Sequence, residues 1–460
     1  MPSVALSLCL VFIVWFLARD LRRRTSVSCA VWLPTLLLLI LGSRPVSVWV
    51  GGGGRIAQMG DYAETSVLDQ MFYLSVLVGS FAIASWRRVK WNRLVLSNTA
   101  IMLLYLFFAL SVLWSEDPIC SSKRLFKDCG MLFVVAVILS ERDPLQAIRA
   151  VYFRCACVLF PLSVVFIKYY PDLGRAYTIA GEPMFTGVTT QKNSLGEIIL
   201  VLSLFLVWDY SETRAAGIRL PWDRLLLLLM GAWLLNISQS KTALICLVVS
   251  SALIVRSRRL ASRMVSRVVL AAALALPFLL LLLQTFGAII QPLVQALGRD
   301  MTFTGRTDIW EHITFTTVNP LIGAGFFNFW GGRGGLAIMK SMNTAIPSAH
   351  CGYLDTYLDG GLIGLFLLFC LLVASGRRLT ASSRLGRYQA LRFAVLITMI
   401  LYNLSESTFI RLTPTWFTTL LVVIDFPFPK VSRGGLRARL QGADQNNRLS
   451  TTEPPQIVNQ

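Results

Sequence analysis

Both histidines of this chain, His312 and His350, lie in one polar stretch, from about residue 287 to 352, between two long apolar segments. Histidine is the side chain that ordinarily titrates near neutral pH, so it is the usual group for moving a proton in catalysis. The same stretch contains Arg306, and a guanidinium can stabilise a developing negative charge. These residue types in one extramembrane loop predict that acid–base chemistry takes place there.

Local signals indicate how this stretch positions its reactive groups. Asp308, with a glutamate three positions later, is typical of a helix N-cap and its capping partner, so we expect a short amphipathic helix that carries Trp310. Asn319-Pro320 would end that helix, because a residue that precedes proline disfavours the helical conformation. Pro347-Ser348 would start the next helix, which we expect to hold His350 in its first turn at the membrane boundary.

Cations on the same predicted side of the membrane form a second group of candidates. Lys241 lies in a turn only a few residues long, Arg44 interrupts an apolar run, and Lys192 and Asn193 precede another apolar segment. A charge near hydrocarbon is costly unless it is paired. Together with Arg306, such cations would suit a diphosphate held at the level of the lipid headgroups. The alternative is that these side chains only reach out to lipid phosphates.

Carboxylates near the candidate histidine are fewer. Asp355 and Asp359 are one helical turn apart on the helix that we expect to follow His350. Asp355 could orient a cation or a hydroxyl near the site, or it could be a charge at the start of the helix that a neighbouring span satisfies. Glu406, at the end of a later apolar segment, receives no role from the sequence.

The composition determines the class of protein that holds these groups. Apolar residues make up 55% of the 460 residues, charged residues only 15%, and the mean hydropathy is +0.63. Long uninterrupted apolar runs match the length that a bilayer demands. We therefore predict an all-α polytopic integral membrane protein with about 11–13 transmembrane helices and one long loop, residues 287–352. Residues 1–429 would form the membrane domain, and the polar residues 430–460 a disordered tail.

The formal net charge of +19 does not require a nucleic-acid partner. Basic clusters alternate with the apolar segments, and placing those clusters in the cytoplasm accounts for most of the charge by the positive-inside rule. This orientation puts the N-terminus and the 287–352 loop outside and the C-terminus inside. The nine cysteines have no C-x-x-C or Cys/His spacing, so the sequence predicts neither a metal site nor a cofactor.

An ordered set of motifs resembles the O-antigen ligase/polymerase superfamily, which contains the WaaL ligases and the Wzy-type polymerases. The motifs are Gly305-Arg306-x-x-x-Trp310, Pro320-Leu321-Ile322-Gly323-x-Gly325, and His350-x-x-Tyr353-Leu354-Asp355 followed by Gly360-Gly361-Leu362-Ile363-Gly364. Three further motifs are similar to exopolysaccharide polymerases of the ExoQ type: Ser43-Arg44-Pro45, Trp114-Ser115-x-Asp117-Pro118 and Gln191-Lys192-Asn193-Ser194-Leu195-Gly196.

The resemblance implies metal-independent, inverting glycosyl transfer at the periplasmic face of a bacterial inner membrane. The donor would be an oligosaccharide on undecaprenyl diphosphate and the acceptor a sugar hydroxyl. The family histidine falls on His350 and the loop arginine on Arg306. A further family arginine falls on Lys241, and lysine cannot make a bidentate fork to a phosphate. A chain-length regulator and a flippase of the same pathway would be partners.

Several functions remain open at this point. The chain could polymerise lipid-linked repeat units into an exopolysaccharide, which the ExoQ-like motifs favour, or it could be a ligase that transfers a finished glycan to lipid A core. A flippase or transporter for lipid-linked sugar would require charges along a central pathway, and Arg154 is the only clear basic residue in the middle of a predicted span. A non-catalytic assembly subunit would leave the two histidines and the motif set unexplained.

Overall fold

A computed structural model describes ten segments of the chain: residues 2–51, 66–177, 181–215, 217, 221–256, 263–285, 306–314, 318–342, 346–381 and 387–426. The residues up to Asp425 belong to one compact unit. The predicted tail, residues 430–460, and residues 287–305, 315–317 and 343–345 of the predicted loop lie outside the described segments.

The described segments are mainly helical. The helices of the first half are α1 (Pro2–Arg23), α2 (Trp32–Leu41), α3 (Val46–Trp49), α4 (Val67–Trp86), α5 (Trp91–Ser97), α6 (Thr99–Ser111), α7 (Pro118–Leu139), α8 (Pro144–Tyr169) and α9 (Pro171–Gly174). Those of the second half are α10 (Lys192–Ala215), α11 (Trp222–Ser238), α12 (Lys241–Val255), α13 (Arg263–Thr285), α14 (Arg306–Thr314), α15 (Arg333–Met342), α16 (Gly352–Thr380), α17 (Arg387–Tyr402) and α18 (Pro414–Val423). Short 3₁₀ helices occupy Cys29–Val31 and Val112–Trp114, and strands β1 (Arg175–Tyr177) and β2 (Pro183–Phe185) form an antiparallel pair.

Five helices of the described segments are long and apolar enough to cross a membrane: α1, α4, α8, α10 and α16. Helix α5 and the helical stretch that follows it would add a sixth as a span bent by 95°. Shorter apolar helices include α12, α17 and α18. The prediction of an all-α polytopic membrane protein is thus confirmed, while the number of spans stays a prediction.

Helices α8 and α10 form the centre of the bundle. In the most apolar 18-residue stretch of each helix, 83% of the residues are buried in α8 and 78% in α10, against 22% in α1. The rings of Tyr152 and Phe205 stack between these two helices with centroids 3.5 Å apart, and the Tyr152 hydroxyl lies 2.9 Å from Thr418 Oγ1 of α18. The helices that present their ends to the candidate site are therefore held by a packed interior.

Helix α16 is interrupted where a turn of the long loop lies beside it. Gly361, with φ +62° and ψ −161°, is not helical. The interruption releases backbone groups that the turn satisfies: Leu362 N–H donates to the Pro320 carbonyl at 2.8 Å, and Ala324 N–H donates to the Leu358 carbonyl at 2.9 Å. The glycine pair of α16 and the glycine-rich turn, two separate motifs in the sequence, are thus one structural feature.

The same loop is also tied to the corner between α6 and α7. Phe326 N–H donates to Ser111 Oγ at 3.0 Å, and Ser121 Oγ donates to the Phe326 carbonyl at 2.9 Å. Arg124 donates from Nη1 to the Phe327 carbonyl at 2.8 Å. The segment that leads towards His350 is therefore fixed on two sides by backbone hydrogen bonds.

A small apolar core lies beneath these anchors and holds the loop helices to α16. Its buried members are Ile309, Ile313, Phe329, Trp330, Ile338, Ile346, Ala349 and Leu358. The amphipathic helix expected around Trp310 is present as α14, but its described part begins at Arg306. Asp308 therefore lies inside the helix, and its expected position as the N-cap is wrong. The residue at which a helix begins is hard to predict from local sequence, because several residues can compete for the N-cap position.

Candidate active site

His350 lies immediately before α16, with its backbone in the left-handed region at φ +50°. The expectation that it sits in the first helical turn is wrong: the helix begins at Gly352, after Cys351 as the N-cap. His350 Nδ1 lies 3.6 Å from Glu406 Oε2, and the side chains are 27% and 12% exposed, respectively. A carboxylate beside a partly exposed imidazole is an arrangement that can orient the ring.

The turn that carries Glu406 is organised by Asn403. The Asn403 side-chain oxygen accepts hydrogen bonds from the N–H groups of Thr408 and Phe409 at 2.9 and 3.1 Å. The backbone carbonyls of Asn403 and Glu406 accept from the Gly352 N–H at 2.9 and 3.0 Å. A Cβ atom on Gly352 would lie 2.1 Å from Asn403 Oδ1, so this close approach requires glycine. The first residue of α16 and the Glu406 turn are therefore locked together beside His350.

The residue before His350 is held from two directions. Trp310 Nε1 donates to the Ala349 carbonyl at 2.7 Å, and the Ala349 N–H donates to Asp355 Oδ1 at 3.0 Å. The same Asp355 oxygen accepts from Trp330 Nε1 at 2.7 Å. Two residues predicted for the site, Trp310 and Asp355, thus hold the backbone that presents the imidazole.

Arg411 completes the support from the opposite side. Its Nη2 lies 3.1 Å from Asp355 Oδ2, and both side chains are buried. The Arg411 guanidinium also lies over the Phe327 ring, 4.4 Å from its centroid, and the Arg124 guanidinium lies 4.5 Å from the same centroid. A buried charge is stable only when it is paired, so Arg411 and Asp355 depend on each other. We regard Arg411 as a positioning residue because it is buried away from solvent.

Lys241 and Lys192 lie on the end of the bundle that carries this turn. Both are exposed, and each is the first residue of its helix, α12 and α10 respectively. Thr242 Oγ1 lies 2.7 Å from Ser405 Oγ, which joins the start of α12 to the Glu406 turn. The described part of α14 likewise begins at Arg306. A helix N-terminus carries a partial positive charge and unpaired N–H groups, so these positions suit an anion.

The starts of α10 and α12 are in direct contact. A Cβ atom on Gly196 would lie 2.5 Å from the Ser240 Cβ atom. Glu197 Oε1 also accepts from the Thr415 N–H at 3.1 Å, which joins α10 to the start of α18. The two lysines therefore stand on helix starts that converge on the 403–415 segment.

Backbone strain is concentrated at this end of the bundle. Among the described non-glycine residues, five have positive φ, and four of them belong to the segments just described: Gln239, Phe327, His350 and Ile410. Such conformations persist only where the surroundings enforce them, and they are frequent at functional sites. The strain supports the interpretation of this end as the active site.

Comparison with known proteins supports the same conclusion. A family model described as O-antigen ligase matches residues 225–369, a range that contains Lys241, Arg306, His350 and Asp355. The chain is 25% identical over 297 residues to the exopolysaccharide production protein ExoQ of Rhizobium meliloti (strain 1021). That alignment covers 62% of this chain and 66% of the relative, just under two thirds of its length.

Both similarities support the O-antigen ligase/polymerase superfamily. The similarity to ExoQ agrees with the expectation from the Ser43, Trp114 and Gln191 motifs. The ligase family model ends at residue 369, so Glu406 and Arg411 lie beyond it.

The resemblance to the superfamily implies roles for Arg306, Lys241 and His350. The structure gives the place of each of them in the fold. It places Arg306 at the described start of α14, four residues before the Trp310 anchor. It places Lys241 one residue before the Thr242–Ser405 contact. Asn193, half-buried, follows Lys192 in the first turn of α10. Their roles in binding a diphosphate stay predictions.

Arg44 has a different environment. Its guanidinium donates to the backbone carbonyls of Leu173, Gly187 and Thr189, the last at 3.2 Å. These carbonyls belong to the segment between α8 and α10, which contains the β1–β2 pair and leads into Lys192. The guanidinium of Arg44 therefore holds the backbone of the segment that leads into α10. A direct contact between Arg44 and the substrate stays a prediction.

The sequence did not identify two residues of this candidate site, Glu406 and Arg411. Each is an ionisable residue at the end of a predicted span, and such residues are functional candidates in membrane proteins. That signal was available for Glu406, which had no assigned role, but nothing in the local sequence pairs it with a histidine more than fifty positions earlier.

Proposed function

We propose that this protein is a glycosyltransferase that polymerises undecaprenyl-diphosphate-linked oligosaccharide units into an exopolysaccharide. The observation that carries the proposal is the His350–Glu406 pair at 3.6 Å, on the end of the bundle where Lys192 and Lys241 start their helices. The family of the chain and its similarity to an exopolysaccharide production protein support the same reaction class.

In the proposed reaction, an acceptor sugar hydroxyl attacks the anomeric carbon of the donor glycan. His350 accepts the hydroxyl proton, and Glu406 stabilises the imidazolium that forms. The bond between the anomeric carbon and the diphosphate oxygen breaks, and undecaprenyl diphosphate leaves with the electron pair. Attack from the face opposite the leaving group inverts the anomeric configuration.

Cations at the helix starts would stabilise the leaving diphosphate. Lys241 and Lys192 are exposed and stand where the helix dipole adds to their charge, and Arg306 occupies a comparable position at the described start of α14. These residues would perform the role without a metal ion. The positive-inside pattern supports an orientation in which this end faces the periplasm from the bacterial inner membrane. A flippase that supplies the donor and a chain-length regulator would act with it.

The proposal is tested with purified protein in nanodiscs and short lipid-diphosphate-linked repeat units. Wild type, His350→Ala and Arg306→Ala are compared by product size, and His312→Ala serves as the matched control because His312 is the second histidine of the same loop. We expect a ladder of products from wild type and His312→Ala, and its loss by about 10²-fold or more in His350→Ala. An unchanged ladder in His350→Ala would overturn the proposed base.

Transfer to a lipid A core acceptor without a ladder would instead identify a ligase. The two reactions share the site, so the acceptor is the discriminating variable. The same protein is also reconstituted in liposomes. Movement of the lipid-linked sugar across the liposome membrane, without bond formation, would identify a transporter and reject the enzyme.

A further inference from the structure

A charged cavity of about 470 Å³ lies at the other end of the central helices, among α1, α8, α10 and α11. Asp209 of α10 borders it, seventeen residues after Lys192. At the rise of an α-helix this separates the cavity from the start of α10 by about 25 Å. The cavity is therefore distinct from the His350–Glu406 site and has no role in the proposed transfer.

Three of the four carboxylates that border the cavity, those of Asp20, Asp209 and Asp223, are each shared between arginines. Asp20 of α1 lies 2.5 Å from Arg24 Nε and 2.8 Å from Arg154 Nε. The Arg154 guanidinium also lies over the Trp32 ring, 4.9 Å from its centroid. Arg154, the one basic residue that the sequence placed in mid-span, therefore shares its carboxylate partner with Arg24.

The same sharing occurs on the opposite wall. Asp209 accepts from Arg224 Nε at 2.9 Å, and Arg149 Nε lies 3.2 Å from its Oδ1 as an ion pair. Arg224 also contacts Asp223 at 2.8 Å, and Arg23 reaches Asp223 at 3.6 Å. Both aspartates already pair with guanidinium groups. Neither carboxylate can therefore fully neutralise an additional cation.

Positive charge is consequently in excess. Five arginines and four acidic residues border the cavity, and Arg154 adds a sixth arginine behind Asp20. The excess is located at the rim, on one face of α1, where Arg19 and Arg23 are one helical turn apart. Arg23 is 57% exposed, and Arg19 lies over the Trp15 ring, 5.3 Å from its centroid.

We propose that this cavity binds a phosphate group, with Arg19 and Arg23 as its rim donors. Guanidinium groups match the geometry of phosphate oxygens and form charge-assisted pairs with them. The volume is in the range of small-ligand pockets, large enough for a phosphate-bearing headgroup. Basic pockets between membrane helices are also typical binding places for anionic lipid headgroups. The phosphate comes either from an anionic lipid of the adjacent leaflet or from a soluble phosphate compound.

The binding is measured directly, without any transfer assay, on the full chain. Three proteins are compared: wild type, the double variant Arg19→Gln/Arg23→Gln, and Arg22→Gln. Each is released from nanodiscs of mixed phosphatidylglycerol and phosphatidylcholine. The lipid that stays bound is counted by native mass spectrometry. Arg22 is the matched control because it is an exposed arginine on the same turn that does not border the cavity. In parallel, the melting temperature in lipid-free detergent is recorded with and without inorganic pyrophosphate.

We expect retained phosphatidylglycerol to fall about tenfold or more in Arg19→Gln/Arg23→Gln, since each lost charged hydrogen bond weakens binding by about that factor, and to be unchanged in Arg22→Gln. That result identifies a lipid. A pyrophosphate-dependent rise in melting temperature that the double variant loses, without selective lipid retention, identifies a soluble phosphate compound.

Equal lipid retention and equal pyrophosphate response in all three proteins would overturn the proposal and leave the arginines as a clamp between helices. An equal loss in Arg22→Gln would overturn it as well, because the effect would then be general surface charge. Where the double variant is not recovered folded, Arg19→Gln alone is used, since Arg19 makes no ion pair within 4.0 Å among the described residues.

Discussion

The carboxylate of Asp355 accepts a hydrogen bond from the backbone N–H of Ala349 at 3.0 Å, one residue before His350. The other oxygen of the same carboxylate faces Arg411 Nη2 at 3.1 Å. A single buried acid therefore connects the strained backbone at the candidate base to a cation that comes from a distant segment. The position of His350 depends on this connection as much as on its own sequence neighbours.

Replacing Asp355 by Asn should destabilise the protein strongly. Asn keeps an acceptor oxygen for Ala349 but leaves the buried Arg411 guanidinium without this carboxylate, which costs about 3–5 kcal/mol when one partner of a buried pair is removed. Thermal unfolding in detergent measures the effect. Arg411→Gln combined with Asp355→Asn should recover part of the loss, and additive losses in the double variant would contradict the pairing.

Glu406→Gln should lower kcat and leave thermal stability close to that of wild type. Gln retains the size of the side chain but cannot stabilise a protonated imidazole at 3.6 Å by charge. We expect a loss of about tenfold or more in kcat, a change in the pH profile of kcat and a nearly unchanged KM. Steady-state kinetics over a pH series gives all three values. A rise in KM alone would assign Glu406 to substrate binding instead.

Lys241→Gln should weaken the use of the donor, because a charged contact to the diphosphate is lost. Removing a charge-assisted hydrogen bond of about 1.5–3 kcal/mol corresponds to roughly 10–100-fold in kcat/KM. Lys241→Arg should retain most of the activity, since arginine can also bind a phosphate. Lys123→Gln is the control, as Lys123 is an exposed lysine of α7. Equal activity of Lys241→Gln and the control would remove Lys241 from the site.

Gly361→Ala should destabilise the contact between α16 and the loop turn. The residue has φ +62°, and an added Cβ would lie 2.3 Å from the Leu321 carbonyl carbon. Left-handed strain and this overlap together should cost about 1–3 kcal/mol. Gly79→Ala in α4 is the control because its nearest neighbour would lie 3.5 Å away. Hydrogen–deuterium exchange of residues 319–333 should increase in Gly361→Ala only.

The pH dependence of the loop anchor at Glu116 can also be measured. Its carboxylate accepts from the Arg333 N–H at 2.9 Å and pairs with the Arg333 Nε at 3.1 Å; these hydrogen bonds, the backbone one first, lower the pKa of Glu116. A lowered folded-state pKa means that the stabilisation is complete above the ordinary pKa and is lost as the pH falls through the lowered value. The effect should be small because the pair is exposed.

Hydrogen–deuterium exchange of residues 328–335, corrected for intrinsic rates, measures this anchor in wild type and Glu116→Gln. The two proteins should differ most at neutral pH and converge as the pH falls through the lowered pKa of Glu116, where the wild-type carboxylate becomes protonated. A difference that grows as the pH falls would contradict the assignment.

Much of this protein could be predicted from its sequence. Apolar run length determined the all-α membrane class, because a bilayer imposes nearly the same length on every span. The two histidines and the motifs around Arg306 and Trp310 indicated one loop and one superfamily, and the comparisons support that superfamily. These features are local or compositional, so they are readable without knowledge of the packing.

The tertiary structure alone decided which groups meet. His350 contacts Glu406, Asp355 contacts Arg411, and the turn at Pro320 fills the break at Gly361, although each pair is separated by forty or more positions in the chain. Such partners are selected by how helices pack and where their ends converge, which no local spacing encodes. The same packing removed His350 from the helix in which its sequence neighbours suggested it would lie, because the hydrogen bonds of Ala349 and Gly352 hold the backbone between them in another conformation.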